Sequence, residues 1–190
     1  MCCRSDVRIA LLVVVLLAGG AAAEPTEDEL VTTILARPTE DVAMHHAHLL
    51  LDRLNRQGRL DELIAWTDRM LAMPKLMARH AELRETLQRV RVEGRRRRAQ
   101  RLTDSARSTA DWFEAAEAWR MTALVAPGEQ RFVLWHTPAR AYTWGGAPVH
   151  ALAAYAELED APPSILVDAR ISLGVLLVQL ITSPISAVVR

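Results

Sequence analysis

Apolar residues recur at helical spacing from Leu30 almost to the C-terminus, and no stretch alternates apolar with polar residues in strand fashion. A period near 3.6 buries one face of a helix, whereas a half-buried strand needs a period of two. The pattern predicts an all-α chain. It is interrupted at Gly58, Pro74, Gly94, Pro127-Gly128, Gly145-Gly146 and Pro162-Pro163, residue types that stop helices or turn the chain back. Pro25-Thr26 followed by Glu29 predicts a capping box. Leu30, Val31, Ile34 and Leu35 then form the apolar stripe of a short helix ending near Arg37-Pro38. Thr39-Glu40-Asp41 predicts the next helix start. Residues 24–43 are read as a leading helix and linker, and 44–190 as the main helical domain.

The first 23 residues read as a secretory signal. Arg4 and Arg8 supply a positive start, Ile9 to Leu17 is unbroken apolar sequence, and Ala21-Ala22-Ala23 suits a cleavage site. The run is shorter than the roughly 20 residues of an ordinary membrane span. Cleavage before Glu24 and a periplasmic or secreted location follow as expectations. Cys2 and Cys3 fall inside this segment, so the expected mature chain has no thiol for disulfides, nucleophilic catalysis or zinc. The whole chain balances 23 basic against 23 acidic residues. Nothing in that balance directs it to nucleic acid.

The interruptions are regularly placed, with Pro127 and Pro163 36 residues apart. The segment Trp135-His136-Thr137-Pro138-Ala139-Arg140-Ala141-Tyr142, followed by Gly146, Ala151, Tyr155 and Pro163, resembles a tetratricopeptide (TPR) unit. Leu50, Leu54, Gln57-Gly58, Leu60-Asp61-Glu62 and Pro74 resemble a second. Leu102, Asp111-Trp112, Glu114-Ala115, Trp119 and Pro127 resemble a third. Leu173-Gly174 and Ser186 begin a last, incomplete unit. The resemblance covers about residues 44–74 and 96–190 and leaves 75–95 as a helix outside the register.

The resemblance implies a right-handed solenoid of antiparallel helical hairpins, in which the first helices of successive units line a groove for a protein or peptide partner. Carried onto this sequence, the groove positions are His45, His48, Asp52 and Asn55, then Arg97, Gln100, Asp104 and Arg107, then His136, Arg140 and Thr143. The family's clamp for chaperone C-termini is absent, because His48 with Asp52 and Gln100 with Asp104 stand at its positions. Trp66, Trp112, Trp119 and Trp135 are expected as filling between helices. Leu51, Leu63 and Met70 stand where the family prefers small residues, so the first unit should pack more loosely or at another angle. Pro138 suggests that its helix starts later than the alignment places it.

Three features invite other chemistry. His45-His46-x-His48, with Asp52 one turn on, has ligand residue types on one helix face. Three ligands from a single helix make an unusual site, and a solvated helix face is the preferred reading. Arg95-Arg96-Arg97-Arg98 suits an acidic partner or an anionic lipid surface. It also suits an exposed helix neutralised by Glu82, Glu85 and Glu93, which is preferred. Residues 171–189 carry no charge and are long enough for a marginal membrane span, although a truncated repeat is preferred. Ile171, Val175 and Val178 would put apolar side chains at groove positions there, so this end is expected to be covered by a second copy or a partner. No catalytic motif is present, and no metal or cofactor is expected. The reading is an exported scaffold or adaptor and not an enzyme; the alternatives are a membrane-tethered accessory subunit anchored through its apolar ends and, less favoured, a metal-binding enzyme using the histidine cluster.

Overall fold

The computed structural model describes residues 24–182. The expected signal, residues 1–23, lies outside the described residues, as do Pro184 and Ser186 of the last repeat. Thr26 opens the first helix as its capping box predicts. Glu29 N–H donates to Thr26 Oγ1 at 3.3 Å, and Thr26 N–H donates to Glu29 Oε2 at 2.7 Å. These bonds hold the Glu29 carboxyl below its usual range. Nine helices and no strand follow among the described residues.

They are α1 (Glu27–Ala36), α2 (Asp41–Arg56), α3 (Leu60–Leu71), α4 (Pro74–Arg79), α5 (Ala81–Ser105), α6 (Thr109–Ala123), α7 (Gln130–Trp144), α8 (Pro148–Ala156) and α9 (Pro163–Thr182). Helices adjacent in sequence pack on one another. The exceptions are α5, which reaches past the short α4 to lie on α3, and α9, which touches both α7 and α8. Short turns make this possible. Gly58 and Gly146 end α2 and α7 with φ of 69° and 66°, a left-handed conformation open to glycine. Ser108 caps α6 in a second capping box, with Asp111 as its acid.

The buried residues fall into two clusters. One runs from Leu30 to Leu87 and consists mostly of leucine and methionine. The other runs from Val92 to Leu176 and combines alanines with Trp119, Phe132, Trp135, Tyr142 and Tyr155. Trp119 and Trp135 fill between helices as expected, while Trp66 and Trp112 pack half-buried at the margins. Ala151 is fully buried in the second cluster.

Two expectations are corrected. Gly94 does not interrupt the chain: it lies buried in the middle of α5, where an added Cβ would stand 3.3 Å from Ile64 Cγ1. The glycine permits close approach of α5 to α3. Pro138 does not delay its helix either, since α7 begins at Gln130 and runs through it. An interior proline costs about 3 kcal/mol. The burial of Phe132, Leu134 and Trp135 in the turns before it offsets that cost.

Candidate partner groove

The large residues at positions 51 and 63 have a visible consequence. α2 and α3 touch far less than α5 and α6 or α7 and α8 do. Leucine side chains hold backbones apart where alanines would let them close. Between α2 and α5 this leaves a groove of about 360 Å³. Its floor is Leu51, Leu63, Val90 and Gly94, and its rim is His48, Asp52, Asn55, Thr86, Arg89, Glu93 and Arg97.

The rim's charges are not equally available. Asp52 is paired with Arg56 at 2.6 Å, on its own helix and one turn on. Glu93 accepts from Arg96 Nε and Nη2 at 2.8 and 2.9 Å, which holds its carboxyl below the usual range. Arg97, in contrast, donates to the neutral Asn55 Oδ1 at 2.6 Å and keeps its full charge. Arg89 adds a second, exposed cation. An apolar trough thus carries an excess of usable positive charge along one lip.

Of the groove positions carried over by resemblance, the structure brings His48, Asp52, Asn55 and Arg97 together here. His45 is exposed on α2 beyond the groove, its ring 6.1 Å from that of His46. Gln100, Asp104 and Arg107 form a separate group at the end of α5. Gln100 Nε2 donates to Asp104 Oδ1 at 2.7 Å, and Arg107 Nη1 donates to the Ala106 carbonyl at 2.7 Å. Arg140 and Thr143 line another recess of about 290 Å³, opposite Ile171 and Val175 of α9. His136 faces no groove. It is half-buried with its ring 6.5 Å from Tyr155, its Nε2 lacks a partner, and burial pushes its pKa down. Among the described residues no group of three His, Cys, Asp or Glu side chains is placed to hold a metal.

Within the arginine run, Arg96 is neutralised by Glu93 as expected, while Arg95 and Arg98 take more distant acids in place of Glu82 and Glu85. Arg95 donates to Asp68 Oδ2 at 2.5 Å. Arg91 Nε sits 2.5 Å from Asp68 Oδ1 as a charge contact without hydrogen-bond alignment. Arg98 pairs with Asp61 at 2.8 Å. Asp61 and Asp68 lie on α3, so the run fastens α5 to α3 instead of offering a cationic face to solvent.

Sequence reasoning missed Thr86, Arg89, Val90 and Glu93, because residues 75–95 had no place in the repeat register. The signal was present. Stepping back from Arg97 by three and four residues along one helix gives Gly94 and Glu93, Val90 and Arg89, and Thr86, all on the face that Arg97 occupies. A comparison of the chain with protein-family models, curated proteins and solved structures finds no match.

Proposed function

We propose that this chain is a TPR-like scaffold or adaptor, a right-handed solenoid of helical hairpins exported to the cell envelope, and that it acts by holding a segment of another protein and not by catalysis. The observation that carries the reading is the α2–α5 groove. It has an apolar floor, and its rim acids are neutralised internally while Arg89 and Arg97 keep their charge. Such a trough favours a segment that carries apolar side chains beside acidic ones.

The experiment places a photo-crosslinking residue at Asn55 and irradiates cells or native envelopes. A discrete adduct is expected, lost when Arg89 and Arg97 are both changed to glutamate in a chain that keeps its helical circular dichroism. An unchanged adduct pattern in that variant ends the groove reading. A membrane-tethered accessory subunit is the second reading, favoured by the apolar surface of α9.

A further inference from the structure

Among the described residues, α9 differs from every other long helix in what it leaves uncovered. An 18-residue window of it has mean hydropathy 1.9, yet only 11% of that window is buried. A core helix of such composition would be mostly buried. Its inward face packs on α7 and α8 through Ala169 and Leu176, with Ile165, Leu166 and Leu173 at the margin. Its outward face from residue 171 on carries Ile171, Val175, Val178 and Ile181, exposed by 63, 54, 60 and 82%. Leu177 and Leu180 are exposed as well. The charges of α9 are confined to Asp168 and Arg170, so the last three turns are uncharged and mostly apolar, with Ser172, Gln179 and Thr182 as their polar residues. That is the signature of a helix in a core or in lipid.

We propose that the outward face of α9 docks on a lipid bilayer, the helix lying along the interface while its inward face stays on the domain. Three observations favour lipid over a protein occupant. The strip 171–181 is roughly 16 Å long and about 10 Å across. A stable protein interface draws on about 20–30 residues a side, and the strip offers six exposed apolar side chains. Apolar side chains cover a wide arc of the free surface, from Leu177 and Ile181 round to Ile171 and Val175, with Gln179 at its margin, which suits a fluid solvent better than a single groove. At the edge of the strip stands Trp144, half exposed, with the Arg140 guanidinium 5.1 Å over its ring. Both line the recess shared with Ile171 and Val175. An indole beside a cation at the border of an apolar surface matches the headgroup level of a bilayer, where the ring is amphipathic and the charge meets phosphate.

The test reads α9 locally, because the apolar run at residues 9–17 can bring the full chain to lipid by itself. With Cys2 and Cys3 changed to serine, Val178→Cys is labelled with an environment-sensitive dye, and Lys75→Cys, on the opposite end of the fold sequence, serves as control. Phosphatidylcholine vesicles containing phosphatidylglycerol are then added. The dye at 178 is expected to shift to the blue while that at 75 does not. Ile171→Glu with Ile181→Glu should raise the lipid concentration needed by about tenfold or more, since each change removes buried methylenes and adds a charge. No shift at 178, even with the protein bound to vesicles, overturns the proposal. So does an equal shift at both positions. A shift that grows with protein concentration without lipid also overturns it, and assigns the face to a second copy of the chain.

Discussion

Around Leu50, Leu54, Leu63, Met70, Leu83 and Leu87 the helices are spaced by long aliphatic side chains, whereas around Ala116, Ala139, Ala151 and Ala154 the volume between them is shared by small residues and large rings. The two regions solve the same problem, burying one face of each helix, by different means. Leucine packing leaves α2 and α3 in limited contact, although α5 lies closely on α3 at Gly94, and the gap left between α2 and α5 is the candidate groove. Alanine with aromatic rings brings backbones close. Trp119 Nε1 donates to Thr103 Oγ1 at 2.9 Å, and Tyr142 donates to Glu117, so these two buried rings satisfy their polar atoms. The second region has its own recess of about 350 Å³, lined by Ala123, Leu124, Arg131, Trp135 and Asp160 where α6 and α8 end, and a wide apolar surface at its edge, on α9. Binding surfaces therefore sit where each packing mode runs out.

That contrast predicts opposite sensitivities. Leu83→Ala in the first region should open a cavity and cost about 2–5 kcal/mol. Ala151→Arg in the second should cost at least about 3 kcal/mol, because it overpacks a tight contact and buries a charge. Urea unfolding followed by circular dichroism measures both. A loss below about 0.5 kcal/mol for Ala151→Arg, the range of surface changes, would remove the close-packed description of the second region.

The next effect tests how close the backbones come. A Cβ at Gly145 would stand 3.1 Å from the Phe113 amide nitrogen and 3.2 Å from the Thr109 carbonyl oxygen. Backbone atoms of α6 cannot yield as a side-chain tip can. Gly145→Ala should destabilise by about 1–3 kcal/mol despite alanine's better helix propensity. A neutral result would mean that α6 and α7 have room to separate.

A smaller effect has a pH signature. Burial lowers the His136 pKa beneath its ordinary 6.5, against a weaker opposing pull from Asp168 and with Arg140 acting in the same direction as burial. Tyr155 is the ring that faces it. The unfolded chain then binds a proton that the folded chain does not, so stability is full above the unfolded pKa and falls as pH drops towards the folded one. Urea midpoints at about pH 7.5 and about pH 5.5 should decline in that order, and His136→Leu should flatten the decline. An unchanged slope in the variant assigns the pH dependence elsewhere.

Much of the fold was legible because helix signals are local. Thr26 and Glu29 announce a cap from four residues, and Gly58 and Gly146 announce turns because their backbone angles suit glycine. Gly94 misled for a tertiary reason: a glycine placed for a neighbouring helix is indistinguishable in sequence from one that ends its own. Pro138 misled likewise, since the packing that offsets it comes from other helices. The arginine run announced its charge and, at Glu93, one partner, but not Asp61 and Asp68, which lie 23 to 37 residues from the arginines they meet and come within reach only when α5 passes α4. Half of the groove was hidden in residues 75–95 for want of a repeat register, and His48, Asp52, Asn55 and Arg97 of the other half were named by carrying over the groove positions of the resemblance.

Gly174 provides the smallest and sharpest comparison, because it is the counterpart of Gly145 on a helix with nothing against its outer face. It stands in the middle of α9, exposed, and a Cβ built there meets no atom within 4 Å. A glycine in a helix interior costs about 1 kcal/mol relative to alanine, since its unfolded backbone has more freedom to lose. Gly174→Ala should therefore stabilise the chain by about 0.5–1 kcal/mol, opposite in sign to Gly145→Ala. The measurement is the urea midpoint of the two variants at several protein concentrations. A gain for Gly174→Ala that is independent of concentration agrees with an outer face free of protein, as lipid docking requires. A loss that grows with protein concentration would mean that another helix packs against the bare Cα, and would close the gap between the two ends of the molecule by showing that α9, too, is buried against protein.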